Sequence, residues 1–392
     1  MPAFNNFEFC SPTHFVFGKD AELQVGEKLA AFGAHKVLIH YGKHAKDCGL
    51  IDRVAKTLVD NGLEYVELGG VRPNPEINLC REGAKICKEQ GVDFVLAVGG
   101  GSVIDSVKCI ADSAVYDGDA WDLVSKKAPV KASLPIASVL TIPAAGSEGS
   151  KNSVISNDEL GMKTGYGCDL HRPKFAFMNP ELTMSLPPYQ TAAGCTDMFA
   201  HLLERFFDDA ENIPVTDNIN LSLMKTVRAN AVRVMEDPNN YDARANIMWA
   251  GALCHNGIAG CGRHEDWATH GMEHELSALK TEVTHGAGLA VLFPAWMDYV
   301  YEENPERFAL YGREVFGIST TDDVKADARA AILATRQFFT SLGMPTHLSE
   351  FGFVESDFEK TVPTLRENKG EPFGSFKKLT MDDAVAIYKS AL

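Results

Sequence analysis

The sequence predicts an α/β protein that becomes all-helical in its second half. A doubly wound parallel sheet is expected over residues 1–187, and a helical domain over 188–392. Three observations carry this. Short apolar runs alternate with amphipathic helical patterns as far as Met178. One of these runs, Asp93-Phe-Val-Leu-Ala-Val98, enters Gly99-Gly100-Gly101-Ser102 and then a helical pattern without a break. Beyond Pro187-Pro188 the periodicity is almost wholly helical.

From the N-terminus, Pro12-Thr-His-Phe-Val-Phe-Gly18 alternates like a strand running into a turn, and a helix is expected over 21–32. Residues 35–40 form a short apolar strand, Tyr41-Gly42-Lys43-His44 a turn, and 50–61 an amphipathic helix with Ile51, Val54, Leu58 and Val59 inward. A strand at 65–68, the Pro-bounded loop Val71-Arg-Pro-Asn74-Pro75 and a helix at 76–90 follow. After the glycine turn come a helix over 103–114, a buried strand within 134–143 and the small, hydroxyl-rich loop Ala144-Ala-Gly-Ser147-Glu-Gly-Ser150. Strands at 152–156 and 173–178 flank a connection containing Lys163. The second half reads as helices at 189–207, 215–236, 243–258, 266–279, 285–303, 305–316, 324–342 and 381–391.

Composition narrows the function classes. With 37 basic against 53 acidic residues the formal charge is −16, which repels phosphate backbones and anionic membranes. Neither nucleic acid nor a membrane is an expected partner. No apolar run approaches the roughly 18 residues of a membrane span, and Met1-Pro-Ala-Phe-Asn-Asn6 has no basic or apolar leader pattern, so a cytoplasmic protein is expected. Nine cysteines without a C-x-x-C pair predict reduced thiols rather than disulfides or a zinc–cysteine site.

Two stretches carry chemistry. Glycines at a strand-to-helix turn let backbone N–H groups approach a pyrophosphate, and the helix N-terminus adds partial positive charge. The alternative for Gly99-Gly100-Gly101-Ser102 is a tight turn alone; its place after a buried strand favours a nucleotide. In the second half, Asp197 and His201 are four apart on an apolar helical pattern and leave the same helix face. His270, inside a second helical pattern, and His285, opening a third, could complete a site of one carboxylate and three imidazoles with a position open for substrate. Twelve histidines also produce i, i+4 coincidences, so the spacing alone leaves a structural role open.

These motifs together resemble the iron-containing (group III) alcohol dehydrogenases, within the dehydroquinate synthase-like fold group that includes glycerol dehydrogenase. The matching segments are Pro12-Thr…Phe-Gly18, Pro73-Asn74-Pro75, Gly99-Gly-Gly-Ser102-x-x-Asp105, Asn179-Pro-Glu-Leu-Thr, Leu186-Pro187-Pro188, Asp197-x-x-x-His201, His270-Gly-Met-x-His274 and His285-Gly286, spread over essentially the whole chain. The resemblance implies Asp197, His201, His270 and His285 as ligands of a divalent metal, Fe(II) or Zn(II). It implies Gly99, Gly100 and Ser102 at the pyrophosphate, and Asn74, Asp105, Thr141, Ser147, Asn152 and Lys163 along the cofactor. His274, as proton relay, and Asp105 are the catalytic candidates. Hydride exchange between a nicotinamide and a small primary alcohol or aldehyde follows, in a homodimer.

Two departures from the family pattern bear on the cofactor. NAD-preferring members carry an Asp after the first nucleotide-binding strand; here that position is Gly42, followed by Lys43 and His44, which points to NADP over NAD. This is similar to NADP-dependent butanol dehydrogenases and broad aldehyde reductases. The family's threonine-rich loop reads Ala144-Ala-Gly-Ser-Glu-Gly-Ser150, leaving open which hydroxyl meets the nicotinamide. The rival readings are an NAD-linked polyol dehydrogenase and a non-redox elimination enzyme. An acidic substrate would need several basic residues near the metal, where only Arg205, Arg263 and Lys280 stand out.

Overall fold

The computed structural model describes residues 5–210 and 212–392, which divide into two compact units. One is Cys10–Leu186; the other is Pro187–Leu392 together with the described residues before Cys10.

The first unit is built on a six-stranded, all-parallel sheet of β1 (His14–Phe17), β2 (Lys36–Gly42), β3 (Glu64–Val71), β4 (Phe94–Gly99), β5 (Ile136–Leu140) and β8 (Phe175–Met178). Their order across the sheet is β1-β8-β5-β4-β2-β3. Every residue of β4 and β5 is buried, so helices cover both faces. Val25, Leu29, Ile51, Val54 and Leu58 form one apolar layer against Val37, Ile39, Leu96 and Val98. From β2 the chain passes to β3 on one side and then returns across β2 to β4 on the other. The carboxyl ends of β2 and β4 therefore frame a crevice, the place where open α/β sheets bind ligands.

A separate antiparallel hairpin, β6 (Asn152–Asn157) with β7 (Met162–Gly167), pairs Ser156 with Lys163. Lys163 thus lies on a strand rather than in a connection. The glycine-rich Met162-Lys-Thr-Gly-Tyr-Gly167 has no apolar alternation to announce a strand. Long-range bonds make it one: Tyr166 is buried and donates to Asp112 (2.9 Å). Val59 also departs from expectation. It is 59% exposed, because the stripe Ile51–Val54–Leu58 already defines the buried face and Val59 lies about 100° from Leu58 around the helix.

The second unit is helical and centred on Pro188–Phe206, where every residue from Thr191 to Phe206 is buried. Its own Phe199 and Phe206 pack with Phe207, Phe293, Trp296, Phe308 and Tyr311, each burial contributing on the order of 1.5–3 kcal/mol. A helix buried all round must satisfy its polar residues within the protein rather than with water. Helix Glu355–Lys369 was not expected, since Pro363 and a polar composition interrupt its pattern. No helix among the described residues is long and apolar enough to cross a membrane.

Candidate active site

In the helical unit, Asp197, His201 and Glu204 occupy one face of helix Pro188–Phe206 at i, i+4 and i+7. Helix Ala268–Leu279 brings His270, Glu273 and His274, and His285 is the first residue of His285–Val300. The result is a cluster around a single oxygen. Asp197 Oδ1 lies 3.8 Å from His201 Nε2, 3.8 Å from His270 Nε2 and 3.7 Å from His285 Nε2. These separations are too long for hydrogen bonds. They fit a shared cation, because bonds of about 2.0–2.2 Å at tetrahedral angles hold neighbouring ligand atoms about 3.3–3.6 Å apart.

The donor atoms bear this out chemically. Asp197 Oδ1 and His270 Nε2 are buried and have no hydrogen-bond partner among the described residues. Each would cost about 1–3 kcal/mol as an isolated buried polar atom; a divalent cation satisfies both. Burial pushes the Asp197 carboxyl up, but the imidazoles of His201, His285 and His270 outweigh it and hold the group well below the usual carboxylate range. Burial holds the His201 imidazole well below its ordinary value, with Asp197 opposing, which favours the neutral form that ligates. The His285 side chain is 25% exposed against 4–8% for the other three, so the cluster opens on that side. The His274 ring stands there, 5.2 Å from that of His285.

Two residues of this site escaped sequence reasoning. Glu204, fully buried, accepts from the backbone N–H and from Nδ1 of His270, both at 2.8 Å. Glu273, also fully buried, hydrogen-bonds Nδ1 of His285. Each carboxylate keeps the proton on Nδ1 and aims the Nε2 lone pair at Asp197. The available signal was a carboxylate at i+7 on an apolar helix for Glu204, and one beside the prominent His274 for Glu273. Replacing either by Gln is expected to weaken divalent-cation affinity by about 10–100-fold. Competition with a chromophoric chelator measures this, and unchanged affinity would show that the carboxylates only pack.

The cofactor candidates gather in the other unit. A side chain on Gly99 would run into Val103, and one on Gly42 would approach the same valine at 3.9 Å, so the turns after β2 and β4 meet over it. Gly100 abuts Ile142 and Gly101 abuts Ala145, which seats the 144–147 loop on the glycine turn. Thr141 N–H donates to Gly99 O (3.0 Å). Ser102 lies in the first turn of helix Gly101–Ala114. Asn74 takes a left-handed φ of 57°, which asparagine tolerates, and its loop is tied to β6 by Ser156 N–H to Pro75 O (2.8 Å). Gly42 caps the short helix Lys43–Asp47, and Lys43 is exposed without an ion pair among the described residues. Lys163 is 6% exposed.

Ser147 is turned inward: its hydroxyl donates to Asp105 Oδ1 (2.5 Å) and accepts from Lys108 Nζ (2.7 Å). The other Asp105 oxygen accepts from the Val154 N–H (2.9 Å), so both carboxylate oxygens are engaged within the unit. The basic residues that an acidic substrate would require are committed as well. Arg263 pairs with Asp208 and Asp217, Arg205 with Glu265 and His255, and Lys280 donates to Phe351 O.

The sequence pattern described as iron-containing alcohol dehydrogenase matches residues 12–180, and that of the C-terminal part of the same Fe-containing family matches 191–392. The chain belongs to the iron-containing alcohol dehydrogenase family. Within that family it is similar to NADH-dependent butanol dehydrogenase A of Clostridium acetobutylicum, at 40% identity over 98% of this chain and 99% of that one. It is also similar to the NADPH-dependent aldehyde reductase YqhD of Escherichia coli, at 36% identity over 99% and 100%. The crystal structure of a butanol dehydrogenase A from Thermotoga maritima superposes with a TM-score of 0.95 at 36% identity, covering 99% of both chains. The protein is thus an iron-type alcohol dehydrogenase, an oxidoreductase using a nicotinamide cofactor and a metal ion.

Proposed function

We propose that this alcohol dehydrogenase interconverts small aldehydes and primary alcohols of the butanal type, with NADP(H) preferred over NAD(H), through one divalent cation held by Asp197, His201, His270 and His285. The observation that carries the reading is the single ionised carboxylate oxygen with three imidazole nitrogens 3.7–3.8 Å around it. A cation there supplies Lewis acidity toward the reacting oxygen, and the nicotinamide donates or accepts hydride. One carboxylate and three imidazoles suit Fe(II) and Zn(II) alike.

The chain's own groups do the rest. Glu204 and Glu273 orient two of the ligating rings. His274, on the more open side beside His285, is the group that exchanges a proton with the substrate oxygen. In the nucleotide-binding unit, read as residues 1–187, the amides of Gly99, Gly100 and Ser102 meet the pyrophosphate, and Gly42 with Lys43 accommodates a 2′-phosphate. Asn74, Thr141, Asn152 and Lys163 border the same cofactor. Asp105 is read as a positioning residue rather than a proton carrier, since both its oxygens are engaged. A cytoplasmic homodimer completes the proposal, and light scattering reports the subunit number.

The test is anaerobic oxidation of NADPH and NADH with butanal, before and after chelation and after reloading with Fe(II) or Zn(II). Turnover is expected to vanish on chelation and to return with the cation. In the same assay His274→Phe is expected to lower kcat/KM by about 10²-fold or more. Butanal turnover that survives full removal of the cation would overturn the metal assignment. Full activity of the His274 variant would remove the proton role.

A further inference from the structure

Lys108 is fully buried on helix Gly101–Ala114, the helix whose first turn follows the glycine cradle. A buried ammonium persists only where its protons are hydrogen-bonded. Lys108 Nζ donates to Asn152 O (2.6 Å), Ser147 Oγ (2.7 Å) and Ser147 O (2.8 Å), with Ser150 Oγ at 3.4 Å. All four acceptors belong to residues 147–152. Two neighbours hold the same loop from below: Arg172 Nη1 donates to Gly149 O (2.8 Å), and His171 Nε2 lies 2.6 Å from Lys151 O. Asp105, one turn before Lys108, takes the Ser147 hydroxyl and the Val154 N–H, and its own carbonyl accepts from Ser153 Oγ (3.0 Å).

The carbonyls of Ser147, Gly149, Lys151 and Asn152 are therefore all drawn inward, toward a lysine, an arginine and a histidine. The loop has no regular ladder of its own until β6 begins at Asn152, so these bonds set its path. At its other end Ala145 abuts Gly101. A shift of the loop is thus felt at the glycine turn itself.

We propose that Lys108, together with Asp105, is a positioning residue for the dinucleotide: it locks residues 147–152 to the helix that follows the glycine cradle, so that loop and cradle present one rigid surface. The proposal deepens the cofactor reading and rests on it. Removing the ammonium leaves two loop carbonyls and a serine hydroxyl without their donor, and the loop rearranges to satisfy them.

The test titrates NADPH into the full-length enzyme, following its fluorescence, alongside steady-state kinetics with butanal. Lys108→Met is expected to weaken NADPH binding and raise its KM by at least about tenfold. The kcat, the KM for butanal and the divalent-cation affinity should stay within about twofold, since the metal ligands lie in the other unit. Asp105→Asn is expected to move the same cofactor constants in the same direction, and it carries the test if Lys108→Met fails to fold. A lysine that served only stability would lower the unfolding temperature and leave these constants alone; that result overturns the proposal. A fall in kcat for Asp105→Asn with cofactor binding unchanged overturns it too, because Asp105 would then act in the chemistry. Ser102→Glu sets a carboxylate at the helix N-terminus and tests the cofactor reading by itself. If that variant still binds NADPH normally, the cofactor reading fails. If it loses binding while Lys108→Met and Asp105→Asn retain it, only the positioning role fails.

Discussion

Replacing Asp197 by Ala is expected to abolish specific divalent-cation binding and to lower kcat/KM for butanal reduction by at least about 10³-fold. As ligands the three imidazole nitrogens bring no negative charge, and they are gathered about one carboxylate oxygen, each 3.7–3.8 Å from it. Among the described residues Asp197 alone sets a carboxylate oxygen against all three, and the imidazoles hold its carboxyl well below the usual range despite its burial. Without it, a cation would face three imidazoles alone in a dry site, and nothing at its centre would offset its charge. Asp197→Asn is expected to fall between wild type and Ala, because it retains an oxygen donor and loses the charge. Chelator competition measures cation affinity, and butanal turnover measures the rate. Wild-type cation affinity in Asp197→Ala would mean that the cation is held elsewhere.

On the proposed NADP(H) preference, Gly42→Asp is expected to reverse it, lowering kcat/KM with NADPH by about 10²-fold while NADH is retained or improved. The backbone permits the change: Gly42 sits at φ −89° and ψ 161°, ordinary for any residue. A side chain there would meet only Val71 O at 3.7 Å and Val103 at 3.9 Å, both ordinary contacts. The variant should fold. A carboxylate at this position accepts ribose hydroxyls and repels a 2′-phosphate, and an uncompensated like-charge contact costs several kcal/mol, with about 1.4 kcal/mol per factor of ten. The Glu67 carboxylate on the neighbouring strand is engaged by Tyr41 (2.7 Å) and Lys46 (3.0 Å). Parallel kinetics with the two cofactors decide the matter. If wild type already prefers NADH, the inference from Gly42 is wrong while the enzyme class stands.

The features legible in the sequence were those written in short stretches of chain. Strand β4 running into Gly99-Gly100-Gly101 is one, because an apolar run, three glycines and a helical pattern are adjacent in sequence and need no distant partner. Asp197 and His201 are another, since helical geometry puts i and i+4 on one face wherever the helix goes. The joining of His270 and His285 to them was legible only through the family motif; no spacing along the chain requires helices beginning at Ala268 and His285 to meet Asp197.

What failed to show in the sequence is equally instructive. Strand β7 forms from a glycine-rich stretch because β6 and Asp112 hold it, and helix Glu355–Lys369 runs through Pro363 because Phe358, Thr361 and Leu365 are buried in the core. Ser147 looks like a cofactor-facing hydroxyl in sequence, yet Lys108 and Asp105 turn it inward.

By itself, then, the sequence determined the α/β-to-helical change of class, the glycine cradle, the four metal-ligand candidates and, through its motifs, the family. Tertiary structure alone decided which carboxylates back His270 and His285, which way the 147–152 loop faces, and that a buried lysine holds it. The reason is physical. Periodicity and turn chemistry are set by neighbours within a few residues, whereas a buried charge is placed by whichever distant groups satisfy it; Lys108 and Asn152, 44 residues apart, meet only once the chain has folded.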